Sequence, residues 1–404
     1  MFDPIKASKE IKDSYIDYIT TTFDMADTDY EREFRKELQT DGMVASGPFL
    51  DIGGSYETGH TLRELIQAQK ASILFESLEP VAEKERELKL DRPLYQHQET
   101  AMLKAGKGEN LVVTTGTGSG KTESFLLPII NHLLREQEAG TLSAGVRAII
   151  IYPMNALAND QMKRMRALFK NYPQICYGVY NGNTEHTQSK ALAEYHRTYH
   201  DEAGEPIDPA PNEIISREAM QEKPPHILIT NYSMLEYMML RPKDDAVFSG
   251  AKLKFIVLDE AHIYKGATGM ETSLLMRRLR ARISEPDSVQ YILTSATLGG
   301  PDADGDILSF AEKLCGVAFQ RSGIIRSTEK QPAMEGFLDF PPALFEELQR
   351  SPDISSVLAR YHADFAPRGS EDEKLYALFL HSRLFALLRK VAHQPITVAQ
   401  LRQA

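Results

Sequence analysis

The stretch "TTGTGSGKTE", residues 114–123, decides the fold. Its glycines alternate with small hydroxylic residues between the apolar runs "NLVV" and "SFLLPII", a composition that cannot fill a core. A loop of this kind, after a strand and before a helix, aims successive backbone N–H groups inward and sets the positive helix end against an anion. Gly116, Gly118 and Gly120 permit the left-handed turns, Lys121 can bridge phosphate oxygens, and the Thr122 hydroxyl can ligate Mg²⁺. The bland alternative is a glycine-rich turn without ligand, and the Lys-Thr pair argues against it. One departure stands out: Thr115 occupies the position where the pattern G-x-x-x-x-G-K-[ST] has glycine.

Around this loop, short β-branched runs alternate with helical stretches. The runs are 110–114, 147–152, 175–180, 226–230, 254–259 and 291–295. Such continuous apolar strands predict an open, mostly parallel α/β sheet buried on both faces. Residues 1–90 form a helical N-terminal region, 91–325 the α/β lobe, and 326–404 a helical segment whose last residues start a new helix capped by Thr397, as if cut. Between 184 and 225 the polar "EHTQSKALAEYHRTYH" and the Pro-rich "GEPIDPAPNE" read as a surface insertion or mobile loop.

With 42% apolar residues in 404, the chain can supply a proper core. No apolar run is long enough to span a bilayer and no secretory signal is present, which predicts a cytoplasmic protein without a membrane partner. Cys176 and Cys315 lack metal or disulfide spacing and read as inert thiols. A net charge of -11 excludes uniform coating of a polyanion, though not a local grip. Two basic clusters, 161–170 and 276–282, each read first as a solvated helix face.

Further along, "FIVLDEAHIYKGATG" sets Asp259 and Glu260 directly after an apolar strand. Acids there share a rim with the phosphate loop, where ligands of open α/β sheets bind. Asp259 can hold Mg²⁺ through water, and Glu260 can orient and deprotonate an attacking water. The alternative is a helix N-terminus decorated with acids, favourable in itself; coincidence with the upstream loop argues against it.

These strings together resemble the first RecA-like lobe of the superfamily 2 DEAD/DEAH-box helicases. "TGTGSGKT" matches that family's motif I, which tolerates Thr115, and "DEAH" (259–262) its motif II. "SAT" (295–297) matches motif III, which implies coupling roles for Ser295 and Thr297; His262 reads as the link between motifs II and III rather than a metal ligand. "RPLYQHQ" (92–98) resembles the adenine-sensing Q motif and implies that role for Gln98. By the same resemblance Thr115, Gly116, Thr117, Gly118, Ser119, Gly120, Lys121, Thr122 and Glu123 hold ATP, and Asp259, Glu260, His262 and Lys121 serve its hydrolysis. "YPMNALANDQ" and "TNYSML" resemble motifs Ia and Ib, which implies that Pro153, Asn155, Thr230 and Asn231 face a sugar-phosphate backbone, joined by Asn181, Gly182 and Thr184 of "VYNGNT". The latter string, with 227–242 and 263–280, resembles large bacterial helicases with a cysteine-bearing C-terminal region, the group of the repair helicase MrfA and the Druantia-type phage-defence helicase.

The second lobe of this family carries Q-x-x-G-R-x-x-R, whose arginines are worth about 10³ to 10⁵ in rate. Residues 301–404 contain no such string. The resemblance therefore implies a partner lobe, in the same longer chain or another, and slow hydrolysis without it. It implies ATP-driven movement on nucleic acid, DNA favoured, with a nucleotide-gated clamp or scaffold that binds without unwinding as the alternative.

Overall fold

The structure is a computed structural model that describes residues 3–401 except 24, 51–55, 79–87, 117, 202–203, 297, 300, 331–336, 351–352, 363–364, 366 and 393–395. It divides into two compact units, 56–328 and 1–55 with 329–404.

Seven strands form the central sheet of the larger unit: β1 (Leu111–Thr114), β2 (Ala148–Ile151), β3 (Tyr177–Tyr180), β4 (Ile227–Thr230), β5 (Phe255–Leu258), β6 (Gln290–Ser295) and β7 (Ile324–Arg326). Their order is β7-β1-β6-β5-β2-β4-β3, and every neighbouring pair runs parallel. Alternation within the strands explains the unbroken apolar runs. Leu111, Val113, Ile150, Ile229, Val257 and Ile292 enter one core, while Val112, Ile149, Leu228, Ile256 and Leu293 enter the other. A strand covered on both faces must be apolar at every position. Five of the six expected strands start one or two residues inside the sequence boundary; β7, only three residues long, was not foreseen.

Four helices matter for the site: α1 (Gln96–Ala105), α2 (Lys121–Glu138), α3 (Asn155–Phe169) and α4 (Tyr232–Leu240). Pro128 lies within α2 and is buried there, and α2 continues unbroken through it. The Met-rich α4 buries Met234, Leu235 and Met238, so its methionines are chiefly core.

Residues before 91 also belong to this unit. Thr58–Thr61 pairs antiparallel with Pro93–Tyr95, and Leu62, Leu65, Phe75, Leu78, Leu88 and Leu90 join the first core. Leu62–Gln67 is helical and Ile73–Leu78 a tighter turn, separated where Gln69 takes φ +57°. The 184–225 excursion is not loose throughout. It holds a helix, Gln188–Thr198, and its return is pinned by buried Asn212, whose Nδ2 donates to the carbonyls of Phe169, Tyr172 and Ile175 at 3.4, 3.2 and 2.9 Å.

The smaller unit is largely helical. Helix Pro4–Thr22 packs on Thr28–Gln39. Asp3 and Asp27 cap their N-termini through backbone N–H groups, a device typically worth about 1 kcal/mol. Phe340, Leu344, Ile354, Val357, Leu358 and Leu378 make a core of their own. The two ends of the sequence meet in an antiparallel pair, Phe49–Leu50 with Ile396–Thr397, and the Thr397 hydroxyl accepts from Gln400 N at 3.2 Å, as a cap should. Both cysteines are buried free thiols. No helix among the described residues is long and apolar enough to cross a membrane.

His226 is buried between β3 and β4 with both ring nitrogens used: Nδ1 accepts from Cys176 N at 3.0 Å and Nε2 donates to Ser143 O at 3.2 Å. Burial, and then the neighbouring Arg147 charge, push its pKa down to about 4. Between pH 6.5 and 4 the unfolded chain takes up this proton and the folded chain does not, so stability falls as pH falls. We expect the urea midpoint of the parent to drop between pH 7.5 and 5 by more than that of His226→Gln, a difference on the order of 1 to 2 kcal/mol. Equal slopes for the two proteins would show that His226 does not titrate this way.

Candidate nucleotide site

Because all seven strands run parallel, every loop that follows a strand opens on one rim. The order along that rim is set by sheet order. The loop after β1, the residues ending β6 and the acids after β5 are neighbours; beyond them come the loops after β2, β4 and β3.

The loop after β1 is fixed before α2 begins. Gly118 and Gly120 take φ +75° and +70°, and a Cβ at Gly120 would run into Gln98 and Glu123. Any other residue at 120 would be strained twice over. The Ser119 hydroxyl donates to Thr115 Oγ1 at 2.7 Å or to Gly116 O at 2.8 Å, closing the turn internally. Lys121 is the first residue of α2 and Thr122 the second, so both stand at the helix's positive end. Thr117 lies outside the described residues.

The acids meet the loop across β6. Lys121 Nζ is 3.2 Å from Glu260 Oε1, both largely buried. Glu260 itself has φ +48°, one of two non-glycine residues with positive φ among those described. Such a conformation costs of order 1–3 kcal/mol and persists only when its surroundings impose it; here it turns the carboxylate toward Lys121 and toward His262, whose Nδ1 lies 3.2 Å from Oε2. The same Nδ1 is 3.1 Å from Ser295 Oγ, and Ser295 O accepts from Thr115 N at 3.2 Å. Ser295 thus touches both the phosphate loop and the acidic segment. Thr297 lies outside the described residues.

Asp259 is bonded by the Thr294 hydroxyl. Burial raises its pKa more than that bond lowers it, and the neighbouring Tyr152 and Tyr264 hydroxyls are buried without partners. A desolvated carboxylate beside unsatisfied hydroxyls is a place where a bound cation would offset a cost already present. The donors there, the Asp259 carboxylate with the hydroxyls of Tyr152 and Tyr264, are oxygens, the chemistry that suits a hard cation.

Gln98 is buried: Oε1 accepts from Tyr95 N at 3.0 Å and one Nε2 proton goes to Gly120 O at 3.0 Å. It braces the loop. Beside it, Tyr56, Tyr95 and His97 form an aromatic cluster with ring centroids 5.5–5.8 Å apart. His97 Nε2 meets Ser119 O at 2.9 Å, and burial lowers its pKa. Sequence reasoning missed Tyr56, which is far from the motif in the chain, and His97, whose neighbour Gln98 drew the attention.

On the other half of the rim, Asn231 Nδ2 donates to Asn155 Oδ1 at 2.9 Å, joining the loops after β4 and β2, while Asn231 Oδ1 caps α4 through Met234 N at 2.7 Å. Pro153 lies two residues after β2 and is partly exposed. Thr230 is buried, its hydroxyl given to Tyr180 O at 2.7 Å. Asn181 and Thr184 are also buried and hold their own turn: Asn181 N donates to Thr184 Oγ1 at 2.9 Å, and Thr184 Oγ1 donates to Val179 O at 2.8 Å. Only Gly182 of that turn's three expected contacts is exposed. Buried Arg217, unforeseen, clasps the turn through Asn181 O at 3.0 Å.

Five arginines of the basic clusters are paired with acids from other elements, whereas Arg277 donates to Ser273 O and Lys313 O. Arg164 pairs with Glu123 and Arg166 with Glu213, while Arg278, Arg280 and Arg282 pair with Glu236, Asp287 and Asp245.

The DEAD/DEAH box helicase model matches residues 95–202 and 207–304. The chain belongs to the DEAD/DEAH box helicase family. Among relatives of this DEAD/DEAH box chain, the Druantia protein DruE of Escherichia coli is 33% identical over 396 residues, 77% of this chain and 21% of DruE. The uncharacterized ATP-dependent helicase YprA of Bacillus subtilis is 30% identical over 219 residues, 54% of this chain and 24% of YprA. The chain thus spans about a fifth to a quarter of these relatives' length. The solved DEAD-box helicase Mss116 bound to ssRNA and UDP-BeF has a TM-score of 0.50 at 16% identity, covering 82% of this chain and 65% of its own, a likeness of fold.

The Arg164–Glu123 pair is a direct tie between the two halves of the DEAD/DEAH box rim, α3 to α2. Both side chains are about four-fifths buried, at 22% and 17% exposure. Arg164→Ala leaves a buried carboxylate unpaired and should cost about 3 kcal/mol in urea unfolding, whereas adding Glu123→Gln should restore more than half of it. Additive losses in the double variant would show the pair to be uncoupled.

Proposed function

We propose that the larger unit is the ATP-binding lobe of a nucleic-acid-dependent ATPase that couples Mg-ATP hydrolysis to translocation on, or unwinding of, DNA. The contact between Lys121 and Glu260, residues 139 positions apart in the chain, carries this reading. It supports a shared site for one triphosphate, with the lobe at 91–325 as its functional core.

In this proposal the backbone N–H groups from Gly116 to Lys121 cradle the β- and γ-phosphates, and Tyr56, Tyr95 and His97 present an aromatic wall to the base while Gln98 holds the loop in shape. Mg²⁺, when bound, would be held by the Thr122 hydroxyl and through water by Asp259, and would neutralise charge on the phosphate oxygens. Without nucleotide, Lys121 and Glu260 satisfy each other. As ATP enters, the ammonium exchanges the carboxylate for phosphate, and Glu260 is released to take a proton from water attacking the γ-phosphorus. His262 and Ser295 transmit that change toward the loops after β2 and β4, where Asn155, Asn231 and backbone groups at Pro153 and Gly182 meet the strand.

DNA is preferred over RNA because the sequence resembles repair and defence helicases most along 179–184, 227–242 and 263–280. A second RecA-like lobe, in a longer chain or a partner, supplies the arginines this lobe lacks. In the full-length protein Glu260→Gln should keep ATP affinity within about threefold while hydrolysis falls at least 100-fold, and Lys121→Ala should weaken both. Normal turnover by Glu260→Gln would remove the assigned base. Single-stranded DNA should stimulate the ATPase more than RNA of equal length; displacement of a duplex strand separates a motor from a nucleotide-gated clamp.

A further inference from the structure

At the opposite rim of the sheet, where β5 and β6 begin, lies a cavity of about 620 Å³. Its apolar walls come from Met102, Leu103, Pro128 and Phe255. Four cationic side chains line it as well: Lys70, Lys107 and Arg135, all exposed, at its mouth, and half-buried Lys254. Among the described residues no carboxylate lines it, although the chain carries a net charge of -11. The acid that reaches its wall is Glu136, 3.7 Å from His132 Nε2, and that carboxylate is already bonded by Arg147 Nε at 3.0 Å.

Two further observations mark the interior as built for a ligand. Lys254 donates to Ser288 O at 3.0 Å, leaving two ammonium protons, and burial lowers its pKa, a cost that an incoming anion would relieve. Gln290 lines the cavity at 2% exposure; its Nε2 donates to Ala105 O at 2.9 Å, but its Oε1 is buried without a donor. A buried acceptor left unpaired costs about 1–3 kcal/mol, which a ligand N–H would recover.

We propose that this cavity is a second ligand site that takes a nucleoside monophosphate. The volume lies within the range of small-molecule pockets. The phosphate answers Lys254 and the mouth cations, an N–H of the base answers Gln290 Oε1, and the flat base packs on Phe255, Pro128, Met102 and Leu103. The site shares no residue with the phosphate loop, so the inference does not depend on the proposed ATPase.

Calorimetric titration of AMP and GMP into the full-length protein carrying Lys121→Ala, which silences the phosphate loop, tests it. At least one should bind one-to-one with Kd below about 1 mM. Binding should weaken at least tenfold on adding Lys254→Met and several-fold on adding Lys107→Glu, with thermal unfolding confirming that each variant is folded; should Lys254→Met fail to fold, the exposed Lys107→Glu decides. Absence of binding by both nucleotides, affinities unchanged by the substitutions, or inorganic phosphate binding as tightly as the nucleotides would each overturn the proposal.

Discussion

The arrangement rests on strand direction. With every pair in the sheet parallel, the segments that follow β1, β5 and β6 have no choice but to emerge side by side, and the contact between Lys121 and Glu260 follows from it. Were one strand reversed, the ammonium and carboxylate would sit on opposite edges about a strand length apart. The burial of both sheet faces enforces the direction, since parallel strands need crossovers and the crossover helices supply the covering layers.

Several buried polar side chains inside this frame tie its segments together, while others, among them the Tyr152 and Tyr264 hydroxyls, have no partner. Gln98, Ser295, Asn231 and Arg217 each join two segments that are distant in the chain. A buried network of this kind sets geometry more than it adds stability, because each bond replaces one to water. That suits a rim whose loops must meet small, charged ligands at fixed distances.

Much of this was readable in the residues. The strands announced themselves through unbroken runs such as "AIII" and "FIVL", and the phosphate loop and the acids through spacing alone. What escaped was whatever depends on a partner far away. Tyr56 reaches the loop only because Thr58–Thr61 pairs with Pro93–Tyr95, a ribbon too short to leave a period. Ile324–Arg326 is likewise three residues with no alternation to detect. Thr230 and Thr184 looked like surface contacts by motif position, yet a hydroxyl's direction is decided by the carbonyl it finds, here Tyr180 and Val179. The arginine-rich clusters read as solvated helix faces, and five of their arginines instead meet acids 7 to 47 residues away in sequence.

The anchoring of Asn212 bears on how this lobe tolerates change in length. Its amide is the far post of the excursion that leaves β3, so strain introduced ahead of it, around Pro206 to Pro209, is absorbed before the chain re-enters the sheet. Length added or removed at that tip should therefore leave the register of β4 unchanged, since Asn212 fixes the chain before the helix Arg217–Glu222 leads it back to the sheet.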